Sequence, residues 1–147
     1  HVLCDTSPCL YRMRQVMKKL RLYEPAEFIH DVLLNRLEVT PVSETVALHA
    51  TCSTRKMGLE NKLLAVARIC ARKVVVPEQV DCCGFAGDRG FTYPELNASA
   101  LENLRPAVEN ACSRGYSNSR TCEVGLSLHS GFYYRSLMYL GDEVTSD

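Results

Sequence analysis

Two adjacent cysteines, Cys82 and Cys83, lie in the glycine-rich stretch DCCGFAGDRGF at residues 81–91. Neighbouring thiols on such a loop suit a site where two sulfurs face one inorganic centre and glycines let the backbone come close to it. The alternative is that both side chains fill the core, since free cysteine is often a small buried hydrophobe. Their adjacency, the three nearby glycines and their position after a predicted strand favour the site.

Two further cysteines have a context that favours the same chemistry. Cys52 follows the sequence HAT at the end of a predicted strand, and Cys122 starts a predicted helix in SNSRTCEVG. A thiol in the first turn of a helix is favoured as the thiolate, which is the form that binds metals. Cys9 has a similar context but no thiol pair upstream of it. The remaining cysteines are predicted to be core residues: Cys4 in a strand, Cys70 on an apolar helix stripe and Cys112 near a helix end.

The predicted secondary structure explains how dispersed cysteines meet in space. Residues 45–50 and 73–76 are predicted strands separated by a helix with apolar side chains at helical spacing. This arrangement predicts a parallel crossover, and the carboxyl ends of parallel strands share one edge, where such folds bind ligands. The predicted fold class is therefore α/β: a three-layer domain with a short, mainly parallel sheet, flanking helices and the cysteines at the carboxyl ends of strands. His49, near the end of the first strand, is predicted either to support the site by a hydrogen bond or to be a satisfied strand histidine.

Local signals predict the other elements. Ser7 is predicted to cap a helix, and a second helix begins near Pro25. A further helix begins at residue 94, and Pro106 is expected to kink or divide it. Its predicted inward residues are Leu96, Ala100, Leu104, Val108 and Ala111. Residues 115–119 are predicted as a short extended link, and residues 133–144 as either a strand or a helix.

Composition excludes several classes of function. Seventeen basic residues balance seventeen acidic ones, which removes the broad electrostatic case for nucleic acid or an anionic membrane. Eight cysteines in 147 residues fall below the about 8–10% typical of a disulfide scaffold, so we expect free thiols in the reducing cytoplasm. No apolar run approaches the roughly 20 residues of a membrane-spanning helix. Because the chain starts at His1, we expect it to be a piece of a longer protein.

The order and spacing of these motifs resemble a known cysteine-rich domain. Cys52, the pair Cys82-Cys83 followed by glycine, and Cys122 are similar to the CCG domain of heterodisulfide reductase B subunits and glycolate oxidase iron-sulfur subunits. The strings HATCSTRKMGLENK, CCGFAGDRGFTYPELNASAL and GYSNSRTCEVGLSLHSG resemble the carboxyl-terminal part of FAD-linked oxidases of the D-lactate dehydrogenase type. The resemblance covers nearly the whole chain.

This resemblance implies an electron-transfer module of a flavin-dependent 2-hydroxy-acid oxidoreductase. Its expected partners are an FAD domain and a ferredoxin-like domain upstream in the same chain, with a quinone or a cytochrome as acceptor. Residues 1–40 would end a first CCG repeat, and residues 41–147 would form a second. The full-length protein would be cytoplasmic or peripheral on the inner face of the membrane. No catalytic residue is expected in the fragment itself.

One position departs from the family pattern. The full motif ends in Cys-x-x-Cys, whereas Ser119 stands three residues before Cys122. The resemblance therefore implies four ligands, Cys52, Cys82, Cys83 and Cys122, for an iron-sulfur cluster, with zinc or no cofactor as alternatives. A zinc-bound or metal-free form would be a structural domain that docks to the flavin and ferredoxin-like domains. A thiol-disulfide exchanger is a third hypothesis, disfavoured because the usual Cys-x-x-Cys redox motif is missing.

Overall fold

The amino-terminal part of the chain forms a small parallel sheet with a crossing helix. The structure is a computed structural model that describes residues 1–145. Its first elements are β1 (Val2–Leu3), α1 (Ser7–Val16), β2 (Leu22–Tyr23) and α2 (Pro25–Phe28), followed by a π-helical turn (Ile29–Leu33) and a 3-10 turn (Leu34–Arg36). Strands β1 and β2 pair in parallel, as expected for a crossover through α1.

The central sheet holds the site-bearing edge. Its strands are β3 (Val42–Leu48), β4 (Ala71–Val75), β5 (Arg114–Ser117) and β6 (Tyr134–Ser136). Their spatial order is β4, β3, β5, β6, and every neighbouring pair is parallel. All four carboxyl ends therefore lie along one edge, which confirms the predicted parallel sheet.

Helices cover both faces of this sheet, which confirms the three-layer α/β architecture. They are α3 (Cys52–Lys56), α4 (Glu60–Cys70), α5 (Arg89–Thr92), α6 (Pro94–Ala100), α7 (Leu104–Val108), α8 (Arg120–Ser130) and α9 (Leu137–Thr145). Side chains alternate along β3, so Val46 and Leu48 pack with α4 and α9 while Ala47 packs with α7 and α8. Within residues 1–145, no helix combines the length and apolar character needed to cross a bilayer.

The extended conformation predicted for residues 115–119 is confirmed at residues 115–117, but this segment belongs to an interior strand and is not a link. Strand β5 pairs with β3 on one side and with β6 on the other. Gly115 is required there, since a Cβ would lie 2.5 Å from the Tyr134 ring. Glycine is rare in strands, so local composition hides this one. Residues 133–144, for which strand and helix were both open, contain β6 followed by α9.

The helix predicted from residue 94 is divided, as expected, into α6 and α7. Its predicted inward face is wrong at both ends, because Leu96 is 45% exposed and Ala111 is exposed. Asn97 points inward instead and donates a hydrogen bond to the Cys83 carbonyl oxygen. A buried polar contact, which apolar periodicity does not register, sets the orientation of α6.

Candidate functional site

All four predicted ligand cysteines line one cavity of about 240 Å³. Cys52 begins α3 after strand β3, Cys82 and Cys83 lie in the loop after β4, and Cys122 lies in the first turn of α8 after β5. Because each segment leaves the carboxyl end of a parallel strand, the sheet places all four at one edge. The structure brings these thiols together, and their role as ligands stays a prediction.

Three helices begin at this cavity. Pro8 of α1, Cys52 of α3, and Ser119 and Cys122 at the start of α8 all line it. The amino-terminal end of a helix carries partial positive charge, which stabilises thiolates and other anions nearby. Lys56 adds a formal positive charge to the lining. The electrostatics of the cavity therefore suit an anionic centre.

Cys83 and Cys122 form the buried half of the site. Their sulfurs are 2.8 Å apart, and both are free thiols at most 7% exposed. This separation exceeds the about 2.05 Å of a disulfide, so the contact is a hydrogen bond between two thiols. The hydrogen bond with Cys122 lowers the pKa of Cys83 to about 7, while the same contact raises the pKa of Cys122. The pair therefore loses its first proton easily and its second with difficulty.

Cys52 and Cys82 form the open half of the site. Both residues are exposed free thiols that line the cavity. Partial desolvation raises the pKa of Cys82, and the Gly84 N–H, 3.4 Å from the sulfur, opposes that rise. A bound group would therefore be enclosed by Cys83 and Cys122 and accessible from the opposite side.

Glycines in and near the cysteine loop allow close packing of the cavity wall. Gly84 has a φ of +71°, and a Cβ there would overlap the Leu96 carbonyl oxygen. Cβ atoms at Gly90 and Gly125 would meet the Phe85 ring at 2.8 and 2.9 Å. Phe85 is buried and lines the cavity, so these two glycines make room for one of its walls.

Ser119 stands where the resemblance leads us to expect a fifth cysteine. It is the N-cap residue of α8, is buried, and lines the cavity. The Cys83 contact and burial raise the pKa of Cys122, and the nearby Ser119 hydroxyl opposes that rise. Ser119 thus supports a thiolate at Cys122 without supplying a sulfur.

The lining fits a sulfur-ligated centre by its donor chemistry. Four cysteine thiols are the donor set of common iron-sulfur clusters and of tetrahedral zinc sites. Within residues 1–145, no group of three or more His, Cys, Asp or Glu side chains is arranged to hold a single metal ion. The fit therefore rests on the donor set, the cavity beside it and the converging helix ends.

The other cysteines do not line the cavity. Cys70 and Cys112 are buried, as predicted, and burial raises the pKa of Cys70 to about 11. Cys9 is exposed in the first turn of α1. Cys4, predicted as a buried strand residue, instead follows β1 and is half-buried.

His49 is buried and links the ends of β3 and β5. Its Nδ1 lies 3.2 Å from Ser117 Oγ, and that hydroxyl donates to the His49 carbonyl oxygen at 3.0 Å. Nδ1 therefore donates to Ser117, and Nε2 has no hydrogen-bond partner within the described part of the chain. Burial, with a smaller effect of Arg55, lowers the pKa of His49 to about 4, so the ring is neutral at pH 7.

No family model, curated protein or solved structure matches this chain. The fold and the site define an α/β protein with four thiols at the carboxyl edge of a parallel sheet. These features, together with the motif resemblance, carry the functional argument.

Proposed function

We propose that the chain is the cysteine-rich electron-transfer module of a flavin-dependent 2-hydroxy-acid oxidoreductase of the D-lactate dehydrogenase type. Cys52, Cys82, Cys83 and Cys122 would hold an iron-sulfur cluster, which when bound supplies one-electron chemistry. The observation that carries the proposal is the meeting of four thiols from three separate segments in one cavity. The resemblance of the same three segments to CCG domains supports it independently.

In this proposal each part of the lining has a distinct role. The four thiolates bind the centre, and the helix ends together with the Ser119 hydroxyl offset their negative charge. Cys83, Cys122 and Phe85 exclude water from one side, because all three are buried. The exposed Cys52 and Cys82 leave the opposite side open to a redox partner.

The proposed partners follow from the resemblance. An FAD domain would oxidise the 2-hydroxy acid, a ferredoxin-like domain would carry further clusters, and a quinone or a cytochrome would accept the electrons. Free thiols in all eight cysteines fit a cytoplasmic protein, which could be peripheral on the inner face of the membrane.

Anaerobic reconstitution with iron and sulfide tests the proposal. The parent chain should bind stoichiometric iron and acid-labile sulfide and gain visible absorbance that bleaches on reduction. A Cys82→Ser, Cys83→Ser double variant should do neither. The matched control is Cys9→Ser, which removes an exposed thiol outside the cavity and should behave like the parent. A parent that stays folded but takes up no iron would overturn the electron-relay function.

A structural domain, zinc-bound or metal-free, is the second candidate. Two observations favour it: Ser119 replaces one sulfur of the family motif, and four thiols are also a complete zinc donor set. Stoichiometric zinc without a redox-active chromophore would support this candidate. Docking to the flavin domain should then persist in the folded double cysteine variant.

A further inference from the structure

Buried polar side chains surround the helix start that carries Cys52. Ser7 begins α1, Thr51 and Thr54 flank the first turn of α3, and Asn118 follows β5. Each of these four residues is at most 4% exposed. Polar groups this deeply buried need specific partners, so their hydrogen bonds constrain where the three segments lie.

Asn118 joins the segments that carry two of the predicted ligands. Its Oδ1 accepts from the Thr51 N–H at 3.4 Å, and its Nδ2 donates to Thr54 Oγ1 at 2.6 Å. Thr51 immediately precedes Cys52, and Thr54 follows it by two residues. Asn118 itself lies just before the helix that carries Cys122. One amide therefore holds both ends of the Cys52 turn against the start of α8.

The surrounding contacts fix the orientation of this amide. Ser7 Oγ lies 2.6 Å from Thr51 Oγ1, so α1 holds the same turn from another direction. Glu24 Oε1 accepts a second hydrogen bond from Asn118 Nδ2 at 3.4 Å. Glu24 is itself buried and accepts from the Ala26 N–H at 2.8 Å, which fixes the carboxylate. Removing the amide would take the hydrogen-bond partner from the buried Thr51 N–H and from Glu24 Oε1.

We infer that Asn118 is a positioning residue that sets the Cys52 sulfur relative to the Cys122 sulfur, so that both face the cavity. The inference rests on the proposed function, because it assigns Asn118 a role in cluster binding. The amino-terminal segment supplies an internal control. Asp5 also lies two residues before its helix, but it is exposed, and it accepts a 3.4 Å hydrogen bond from the adjacent Thr6.

The test compares Asn118→Ala, Asn118→Asp and Asp5→Ala after anaerobic reconstitution with iron and sulfide. Partners of metal ligands typically contribute 10- to 100-fold in affinity, so Asn118→Ala should lose iron to a chelator about ten-fold faster or more. Asn118→Asp keeps the acceptor for the Thr51 N–H but places a second carboxylate beside the buried Glu24, so its loss rate should be at least that of Asn118→Ala. Asp5→Ala should match the parent. Unchanged iron retention and an unchanged visible spectrum in folded Asn118→Ala would reduce Asn118 to a structural residue and overturn the inference.

A metal-free measurement separates this inference from the proposed function. Dibromobimane fluoresces strongly when it bridges two thiols, and peptide mapping identifies the bridged pair. In the apo protein, Asn118→Ala should lower the yield of bridges that include Cys52 several-fold and leave the Cys83–Cys122 bridge unchanged. Equal Cys52 bridging in variant and parent would contradict positioning, even if the parent binds no iron.

A second pair of variants covers the case in which Asn118→Ala does not fold. Thr54→Val removes the hydroxyl that accepts from Asn118, whereas Thr54→Ser keeps it. We expect Thr54→Val to reproduce the loss of Cys52 bridging and Thr54→Ser to restore it. Equal bridging in both variants would overturn the inference.

Discussion

Two units of the molecule repeat the same order of elements but place their cysteines differently. The amino-terminal unit is β1, α1, β2 and α2, and the carboxyl-terminal unit is β5, α8, β6 and α9. The Val2 N–H donates to the Arg21 carbonyl oxygen at 3.0 Å. At the equivalent position of the second unit, the Gly115 N–H donates to the Tyr133 carbonyl oxygen at 3.1 Å. In both units a cysteine is the third residue of the helix that follows the first strand.

The environments of these two cysteines differ sharply. Cys122 is buried beside Cys83 in the four-thiol cavity, whereas Cys9 is exposed and does not line it. The carboxyl-terminal unit lies beside β3, and the segments after β3 and β4 bring the other three thiols to Cys122. A cysteine in the first turn of a helix is therefore insufficient for a site without neighbouring parallel strands.

The largest expected difference between the units concerns metal retention. Cys122→Ser should reduce bound iron after anaerobic reconstitution at least ten-fold, because it removes one of four sulfur donors and a buried hydrogen bond. Cys9→Ser should retain parental iron. Iron quantitation after desalting measures both variants. Equal iron content in the two would contradict the proposed difference between Cys122 and Cys9.

Acid should weaken the attachment of the carboxyl-terminal unit to β3. His49, which bonds to Ser117 of β5, has its pKa lowered to about 4 in the folded state, against about 6.5 when unfolded. The unfolded state then binds more protons, so the free energy of unfolding should fall by up to about 3 kcal/mol between pH 6.5 and pH 4. Urea unfolding across this range measures the loss of stability. In His49→Gln, the free energy of unfolding should depend much less on pH. A parental slope in His49→Gln would assign the acid sensitivity to other groups.

Substitutions at the sixth residue of α8 and of α1 should differ in their effect on the free energy of unfolding. Gly125 of α8 faces Phe85 and Asn97, so Gly125→Ala should destabilise the fold by about 1–3 kcal/mol through overpacking. Arg12 occupies the same position in α1 and is exposed. Arg12→Ala should leave the urea midpoint nearly unchanged. A stabilised Gly125→Ala variant would contradict the close packing of Gly125 against Phe85 and Asn97.

The sequence predicts the parts of this comparison that depend on local pattern. Apolar runs indicate β3 and β4, and the cysteine context predicts that thiols gather at one sheet edge. Strand β5 is missed because Gly115, which packs against the Tyr134 ring, lowers its strand signal. The N-cap of α1 is Thr6 rather than the predicted Ser7, whose hydroxyl is instead used in tertiary contacts.

The polar contacts around Cys52 were not predicted for a related reason. Thr51 carries a local signal, since threonine before a helix is a common N-cap, and its Oγ1 does accept from the Thr54 N–H. Asn118 carries none, because its partners are distant in sequence and become neighbours only after β3 and β5 pair. Residues that could bind a centre are therefore easier to predict from the sequence than the residues that position them.

X-ray absorption at the iron edge of the anaerobically reconstituted chain tests the central claim most directly. If Cys52, Cys82, Cys83 and Cys122 hold an iron-sulfur cluster, the first shell around iron should consist of sulfur, with a second shell of neighbouring iron. The Cys82→Ser, Cys83→Ser variant, treated in the same way, should show neither the sulfur shell nor the shell of neighbouring iron. Iron surrounded by oxygen or nitrogen, without neighbouring iron, would contradict a cluster at this site and leave the structural domain as the better account.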